Sequence, residues 1–169
     1  QKIHITGGYF KVNNNSLVLQ DMNLINDGTF TSTDGNVVFT GTSTASISGT
    51  NSLRFDSLSI NKTSDEVQLE QDIMIASHLE LTSGLLDVQT SDASMADPST
   101  ISGASSDSYV QTSSTGTLSR PVADADVTYP IGNSSYNPAI LNNDAGTADF
   151  YAMRVRDELL EGGSSGAMV

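Results

Sequence analysis

A repeat of twenty residues near the start of the chain is the feature that most limits its fold. The stretch "GYFKVNNNSLVLQ" at residues 8–20 and the stretch "GTFTSTDGNVVF" at residues 28–39 share a glycine, an aromatic residue, a polar turn and an apolar triplet. Phe10 aligns with Phe30 in this comparison. A unit this short cannot bury its apolar side chains alone, so successive copies are expected to stack on one another.

The apolar residues from Ile3 to about Gln89 alternate with polar residues. Alternation at a period of two predicts short, half-buried strands, and no window shows the 3.6-residue period of a helix. Two all-β architectures fit this pattern: an antiparallel sandwich and a parallel β-solenoid. The twenty-residue offset favours the solenoid because it places each strand over its predecessor, with Leu19 over Phe39 as an interior ladder. We therefore predict all-β solenoid coils over residues 1–90.

The composition changes after this region. Residues 91–119 are rich in Ser and poor in large apolar side chains, which indicates a connector with short strands. Prolines then bracket short strands, and "DFYAMRV" alternates again, so residues 120–169 are predicted to form part of a β-sandwich-like domain. The chain begins at Gln1 without Met, so we expect it to be cut from a longer protein, with this second domain truncated.

Charge and cysteine content exclude several classes of partner and site. Twenty acidic and seven basic residues give a net charge of −13. Such a chain lacks the basic stripe that nucleic acids require and has no attraction to an anionic membrane surface. No apolar run is long enough for a spanning helix. The chain has no cysteine, which excludes disulfides, thiolate metal sites and cysteine nucleophiles.

Three segments in order carry a resemblance to a known family. The first is "LRFDSLSINKTSDEVQLEQDIMIASHLELTSGLLDV", with an F-x-x-L-x-I strand at Phe55, Leu58 and Ile60 and an L-x-L-x-x-G-x-L turn from Leu79. The others are "YVQTSSTGTLSRPV" and "YPIGNSSYNP". Together they resemble a module of very large, adhesin-like and gliding-associated surface proteins of Bacteroidota, which are exported by the type IX secretion system.

This resemblance implies a location and a set of partners. It places the chain outside the cell, on a bacterial cell surface. The implied partners are other domains of the same large chain and a cell or extracellular surface, including its glycans. The family carries no catalytic motif to transfer. The resemblance therefore favours a non-enzymatic stalk or adhesin module, and the alternative is a carbohydrate-binding or carbohydrate-active β-helix protein.

Calcium is the one cofactor that the sequence offers. Acidic repeat proteins outside the cell often bind Ca²⁺ through hard oxygen donors. Asp34 lies in an Asp-Gly turn, and Asp124 and Asp126 lie in "ADADV", so these three are the candidate ligands. None of them fits the spacing of an EF-hand or of the calcium-binding nonapeptide repeat. Asp-Gly pairs also form turns without any ion, which is the alternative reading.

Tyr136, in the loop "NSSYNP", is the candidate ligand-binding residue, since an exposed ring can stack on a sugar. The alternative is that its ring packs on Pro130 or Pro138 and fixes the loop. Glycoside cleavage needs two carboxyls in one groove, and the acids of the repeat do not recur at matching positions. His4 and His78 have no acidic or Ser partner at a telling spacing, and both are expected at strand surfaces. The sequence therefore predicts that the chain is not an enzyme.

Overall fold

The structure is a computed structural model that describes residues 1–144 and 146–156, together with two short strands within residues 160–165. It is an all-β protein with 61% of its residues in strands, arranged as a parallel β-solenoid of about six turns. This confirms the predicted fold class. The described residues contain no helix long and apolar enough to cross a membrane.

Each of the first two coils contributes three strands, and every strand lies parallel to its counterpart one coil later: β1 pairs with β4, β2 with β5 and β3 with β6. The register places Phe10 beside Phe30 and Leu19 beside Phe39, which confirms the ladders predicted from the repeat. The strands of these coils are β1 (Lys2–Ile5), β2 (Tyr9–Asn13), β3 (Ser16–Gln20), β4 (Asn23–Asn26), β5 (Thr29–Thr33) and β6 (Asn36–Gly41).

In the middle coils the strands run on around the corners instead of stopping at each turn. β8 pairs with β6 through Leu58 and with β7 through Val67, so one strand serves two faces of the solenoid. Its pairing with β9 shifts register where the chain bends, as β-bulges do. The strands of this part are β7 (Ala45–Gly49), β8 (Leu53–Leu69), β9 (Ile73–Asp87), β10 (Ala93–Met95), β11 (Thr100–Ser102) and β12 (Val110–Gln111).

One interior ladder runs through the third strand of each coil. Its side chains are fully buried, because period-two alternation turns every second residue inward. Burying one large apolar side chain contributes about 1.5–3 kcal/mol. The members of this ladder are Leu19, Phe39, Ile60 and Leu81.

A second ladder is aromatic. The rings of Phe10 and Phe30 stack with centroids 6.1 Å apart, and the ring of Phe55 meets Phe30 edge-on at 5.5 Å. Both arrangements are the favourable geometries for aromatic pairs. The repeat of Phe in successive coils is therefore a packing requirement of the interior.

Parallel pairing continues past residue 90. β10 pairs with β9 on one side and with β13 (Leu118–Val122) on the other, while β12 pairs with β9 and with β15 (Ile131–Gly132). The segment 91–119, predicted to be a connector with short strands, supplies those strands to the same sheet, so no break in pairing occurs at residue 90. A strand of two or three residues buries only one or two side chains, here Met95 and Val110. So few apolar residues give no recognisable strand pattern in a Ser-rich sequence.

Antiparallel pairs appear in the last part of the chain, beside the parallel pair of β12 and β15. β13 is antiparallel to β17, β14 to β16 and β18 to β19. The buried side chains of Val122 and Tyr129 belong to the same hydrophobic core as the solenoid. Most of residues 157–169, the end of the predicted β-sandwich, lie outside the described residues. These strands are β14 (Val127–Tyr129), β16 (Ala139–Leu141), β17 (Asp149–Met153), β18 (Leu160–Glu161) and β19 (Ser164–Ser165).

The register predicts which cysteine pairs will cross-link. Val18 and Val38 are direct neighbours on β3 and β6. Their Cα atoms lie about 4.8 Å apart, within the range that a disulfide spans. We expect Val18→Cys/Val38→Cys to oxidise to an intramolecular disulfide, which free-thiol titration measures against a background with no native cysteine. In the control Val18→Cys/Thr40→Cys the Cα atoms are about 8 Å apart, so equal cross-linking of the two pairs would contradict this register.

Candidate functional site

Aspartates in the turns bond to the following coil. Asp21 Oδ1 accepts hydrogen bonds from the backbone N–H groups of Thr42 at 2.7 Å and Ser43 at 2.9 Å. Asp27 Oδ1 accepts from the N–H and the hydroxyl of Thr50, both at 3.0 Å. The Thr50 N–H is shared with the carbonyl of Asn26, at 3.1 Å. A carboxylate that accepts from N–H groups of the next turn makes a charge-assisted bond between two coils.

The same arrangement occurs further along the solenoid. Asp72 Oδ1 accepts from the N–H of Asp92 at 2.8 Å. Asp92 Oδ1 in turn accepts from the N–H of Thr117 at 2.9 Å and from its hydroxyl at 2.7 Å. Sequence reasoning did not single out these residues as structural. The available signal was an Asp in one turn followed, about one coil later, by a Thr or Ser in the next.

A buried lysine joins three coils at one corner. The Lys62 side chain has no exposed area, and its ammonium donates to the carbonyls of Thr40, at 3.2 Å, and Ser43. It also lies 3.5 Å from Asp21 Oδ1. Gly41 adopts a φ of +100°, and a Cβ there would meet this carboxylate at 2.1 Å, so only glycine allows the close approach. Lys62 stands in the polar run "NKTSDE", which is typical of an exposed turn, and its burial could not be foreseen.

These contacts change the acidity of two carboxyls. The pKa of Asp21 lies below its ordinary value of 3.8, chiefly because the Ser43 N–H donates to it, with further contributions from Thr42 and Lys62. The pKa of Asp27 is also lowered, first by the hydrogen bond with His4, whose Nε2 is 2.7 Å from Oδ2, and then by Thr50. Both carboxylates are therefore held in the charged form by the fold.

Acid is expected to destabilise the solenoid through Asp21 and Asp27. Because folding lowers both pKa values, their contribution is present above the unfolded-state pKa and is lost as the pH falls through the folded-state pKa. The free energy of unfolding, measured by urea denaturation at constant ionic strength, should fall below about pH 4. The variant Asp21→Asn/Asp27→Asn cannot take up these protons and should show a shallower dependence. An unchanged pH dependence in that variant would contradict the assignment.

The candidate calcium ligands do not form one site. Asp34 is exposed in the turn between β5 and β6, with a φ of 51°. Asp124 and Asp126 lie in the turn between β13 and β14, in the last part of the solenoid, and Asp126 Oδ1 accepts from Asn142 Nδ2 at 3.0 Å. Among residues 1–144 and 146–156, no three His, Asp or Glu side chains are grouped so that they could hold a metal ion. Calcium binding at these aspartates stays a prediction.

Tyr136 is held in place by another tyrosine. Its ring is half-buried and lies 5.6 Å from the ring of Tyr109, which is 5% exposed, and its backbone bridges to Gly132. Tyr136 also lines an open groove of about 270 Å³. The remaining residues of this groove, called the Arg120 groove below, are Ile101, Ser102, Gly103, Ala104, Arg120, Thr128 and Pro130.

Among the described residues that line this groove, Arg120 is the only charged one. It lies in β13, its Nη1 donates to the Thr128 carbonyl, and its guanidinium is 5.9 Å from the centre of the Tyr129 ring. Burial lowers the pKa of Arg120 below its ordinary value. Its Nε is buried without a hydrogen-bond acceptor, and no carboxylate of the described residues forms an ion pair with it. Sequence reasoning did not select Arg120.

The two histidines have partners one coil away. His4 bonds with Asp27, as described above, and His78 on β9 lies between two hydroxyls of β11. His78 Nδ1 is 2.7 Å from Thr100 Oγ1, and Nε2 is 2.9 Å from Ser102 Oγ. The Ser–His contact has a hydroxyl where a catalytic triad has a carboxylate, so it does not reproduce a triad. The sequence predicted no partner for either histidine. Their partners were missed because the parallel stack brings together residues more than twenty positions apart.

Comparisons of this chain with protein-family models, with curated proteins and with solved structures found no match.

Proposed function

We propose that the chain is a non-enzymatic structural segment, a stalk, of a large protein on a bacterial cell surface. It would hold other domains of the same chain away from the cell or contact an extracellular surface itself. The observation that carries this proposal is the uninterrupted stacking of coils. One register column runs through five successive strands without a gap: Val18, Val38, Ser59, Glu80 and Ser102.

The physics of the stack supports a spacing role. Each coil of a solenoid contacts mainly its neighbours, and each adds about 4.8 Å of length through backbone hydrogen bonds that run along the axis. The carboxylates of Asp21, Asp27 and Asp92 add bonds between coils in the same direction. A net charge of −13 keeps copies of such a surface apart, which suits an exposed and densely displayed segment.

Duplicating one coil tests the spacing role. Gly49 pairs with Asn26, so residues 27–49 form one complete repeat unit. We expect a second copy of 27–49 inserted after Gly49 to fold and to lengthen the distance between spin labels at Val18 and Ser102 by about 4.8 Å. The control insertion carries the same residues in scrambled order. If the true and scrambled copies gave the same distance change, the coils would not act as additive spacers.

A carbohydrate-binding role is the second candidate. The observation that favours it is the Arg120 groove, where the ring of Tyr136 and a cation face the same open space. A stalk can carry such a site on its side, so the two roles are compatible. Ligand binding distinguishes them, because a pure spacer binds no ligand selectively.

A further inference from the structure

We propose that the Arg120 groove binds an anionic saccharide, a sugar ring that carries a carboxylate or a sulfate. In this assignment the negative group lies against the Arg120 guanidinium and one face of the sugar ring packs on Tyr136. The proposal does not depend on the stalk function, because it concerns only residues of the last coils.

The first argument is the unpaired cation. A partly buried charge is costly unless it is paired and hydrogen-bonded, and buried polar groups without partners call for a specific explanation. Arg120 Nε has no acceptor, and its two contacts, the Thr128 carbonyl and the Tyr129 ring, carry no negative charge. In this acidic chain the partly buried Arg120 guanidinium thus has no carboxylate partner among the described residues. A planar guanidinium matches the paired oxygens of a carboxylate or sulfate.

The second argument is the composition of the groove walls. Ile101, Ala104, Pro130 and Tyr136 supply apolar surface, while Ser102 and Thr128 supply polar groups. Ligand sites combine such apolar walls with a few convergent polar groups. A sugar presents C–H faces and hydroxyl edges, so it matches both parts, and a simple inorganic anion would leave the apolar wall unused.

The third argument is that the site is built from fixed parts. Tyr136 is braced by Tyr109, and Arg120 is anchored on β13 by its bond to Thr128. Ser102 is held by His78 from the neighbouring strand, with Oγ 2.9 Å from Nε2. Side chains that are positioned before binding lose less entropy when a ligand arrives. The volume of about 270 Å³ lies just below the range of drug-sized ligand sites, which begins at about 300 Å³, so it fits a single sugar unit.

The test is an NMR titration of the intact chain, following backbone amide shifts. The probes are glucuronate, glucose 6-sulfate, glucose and a tri-glutamate peptide. We expect glucuronate or glucose 6-sulfate to shift the amides of residues 101–104 and 128–136, and the stronger of the two identifies the anion. Equal binding of neutral glucose, preferential binding of tri-glutamate, or no shift with any probe would each overturn the proposal.

Matched variants test the role of the guanidinium. Arg120→Gln removes the charge, and we expect it to weaken binding of the anionic sugar about tenfold to a hundredfold. Arg54→Gln makes the same change in charge at an exposed arginine of β8 and should leave affinity unchanged. Equal affinity in both variants would overturn the role of Arg120. The wild-type shift map does not need the Arg120 variant, so a folding defect in that variant would not remove the test.

Discussion

Replacing Phe39 with alanine is expected to lower the free energy of unfolding by about 3–5 kcal/mol. Phe39 has no exposed area, and its register neighbours Leu19 and Ile60 are equally buried. Removing the ring leaves a cavity that the two flanking coils cannot close, because each is fixed to the coil of Phe39 by backbone hydrogen bonds. Urea denaturation monitored by circular dichroism measures the loss.

The matched control for this change is Val18→Ala. Val18 lies in the neighbouring strand of the preceding coil, but its side chain points outward and is 57% exposed, so its truncation should cost less than about 0.5 kcal/mol. Similar losses in the two variants would show that the third strand of each coil does not turn the predicted residues inward. A large loss for Phe39→Ala alone is the result that the ladder requires.

The second large effect is expected from Lys62→Met. Methionine keeps an apolar stem of similar length, so the change removes mainly the ammonium and its bonds to the carbonyls of Thr40 and Ser43 and to Asp21. Hydrogen bonds from a charged group are worth about 1.5–3 kcal/mol each, but methionine also avoids the cost of desolvating the buried ammonium, which offsets part of their loss. We expect a total loss of about 2–3 kcal/mol in the free energy of unfolding.

A second measurement separates the bonds of the Lys62 ammonium from the packing of its apolar stem. Since Lys62 contributes to the lowered pKa of Asp21, the variant should move that pKa back toward 3.8, which NMR titration of the carboxyl can follow. Lys11→Met, at an exposed lysine of the first coil, is the control and should change stability by less than about 0.5 kcal/mol. If Lys62→Met lowered the free energy of unfolding no more than Lys11→Met does, the Lys62 ammonium would not stabilise this corner.

The repeat was enough to predict the solenoid and its first ladders. A fixed offset combined with period-two alternation defines both which residues stack and which turn inward, as Phe10 with Phe30 and Leu19 with Phe39 show. The repeat gives no such guide past residue 90, where the offset stretches from 20 residues, between Ile73 and Ala93, to 25 residues, between Ala93 and Leu118. Once the loops vary in length, a strand with one buried side chain can no longer be aligned in sequence with its counterpart in the preceding coil.

Tyr136 could be selected from sequence because an aromatic residue in a polar loop is unusual. Arg120, Ser102 and His78 could not be placed beside it, since their proximity depends on which strands of different coils pair. Asp34, Asp124 and Asp126 were predicted as candidate ion ligands, whereas Asp21 and Asp27, which bond to backbone N–H groups of the next coil, were not selected. Sequence shows that a carboxylate lies in a turn, but only the stacking shows which donors face it.

The rigid stack itself is tested most directly by a spin-label distance between Val18→Cys and Ser102→Cys in the otherwise cysteine-free chain. Four rungs separate these residues, so their Cα atoms should lie about 19 Å apart, and double electron–electron resonance should give one narrow distribution consistent with that spacing. A flexible chain of the intervening length would span roughly 50 Å with a broad distribution. The narrow, short distance is the predicted result, and a broad or long distribution would contradict the stalk.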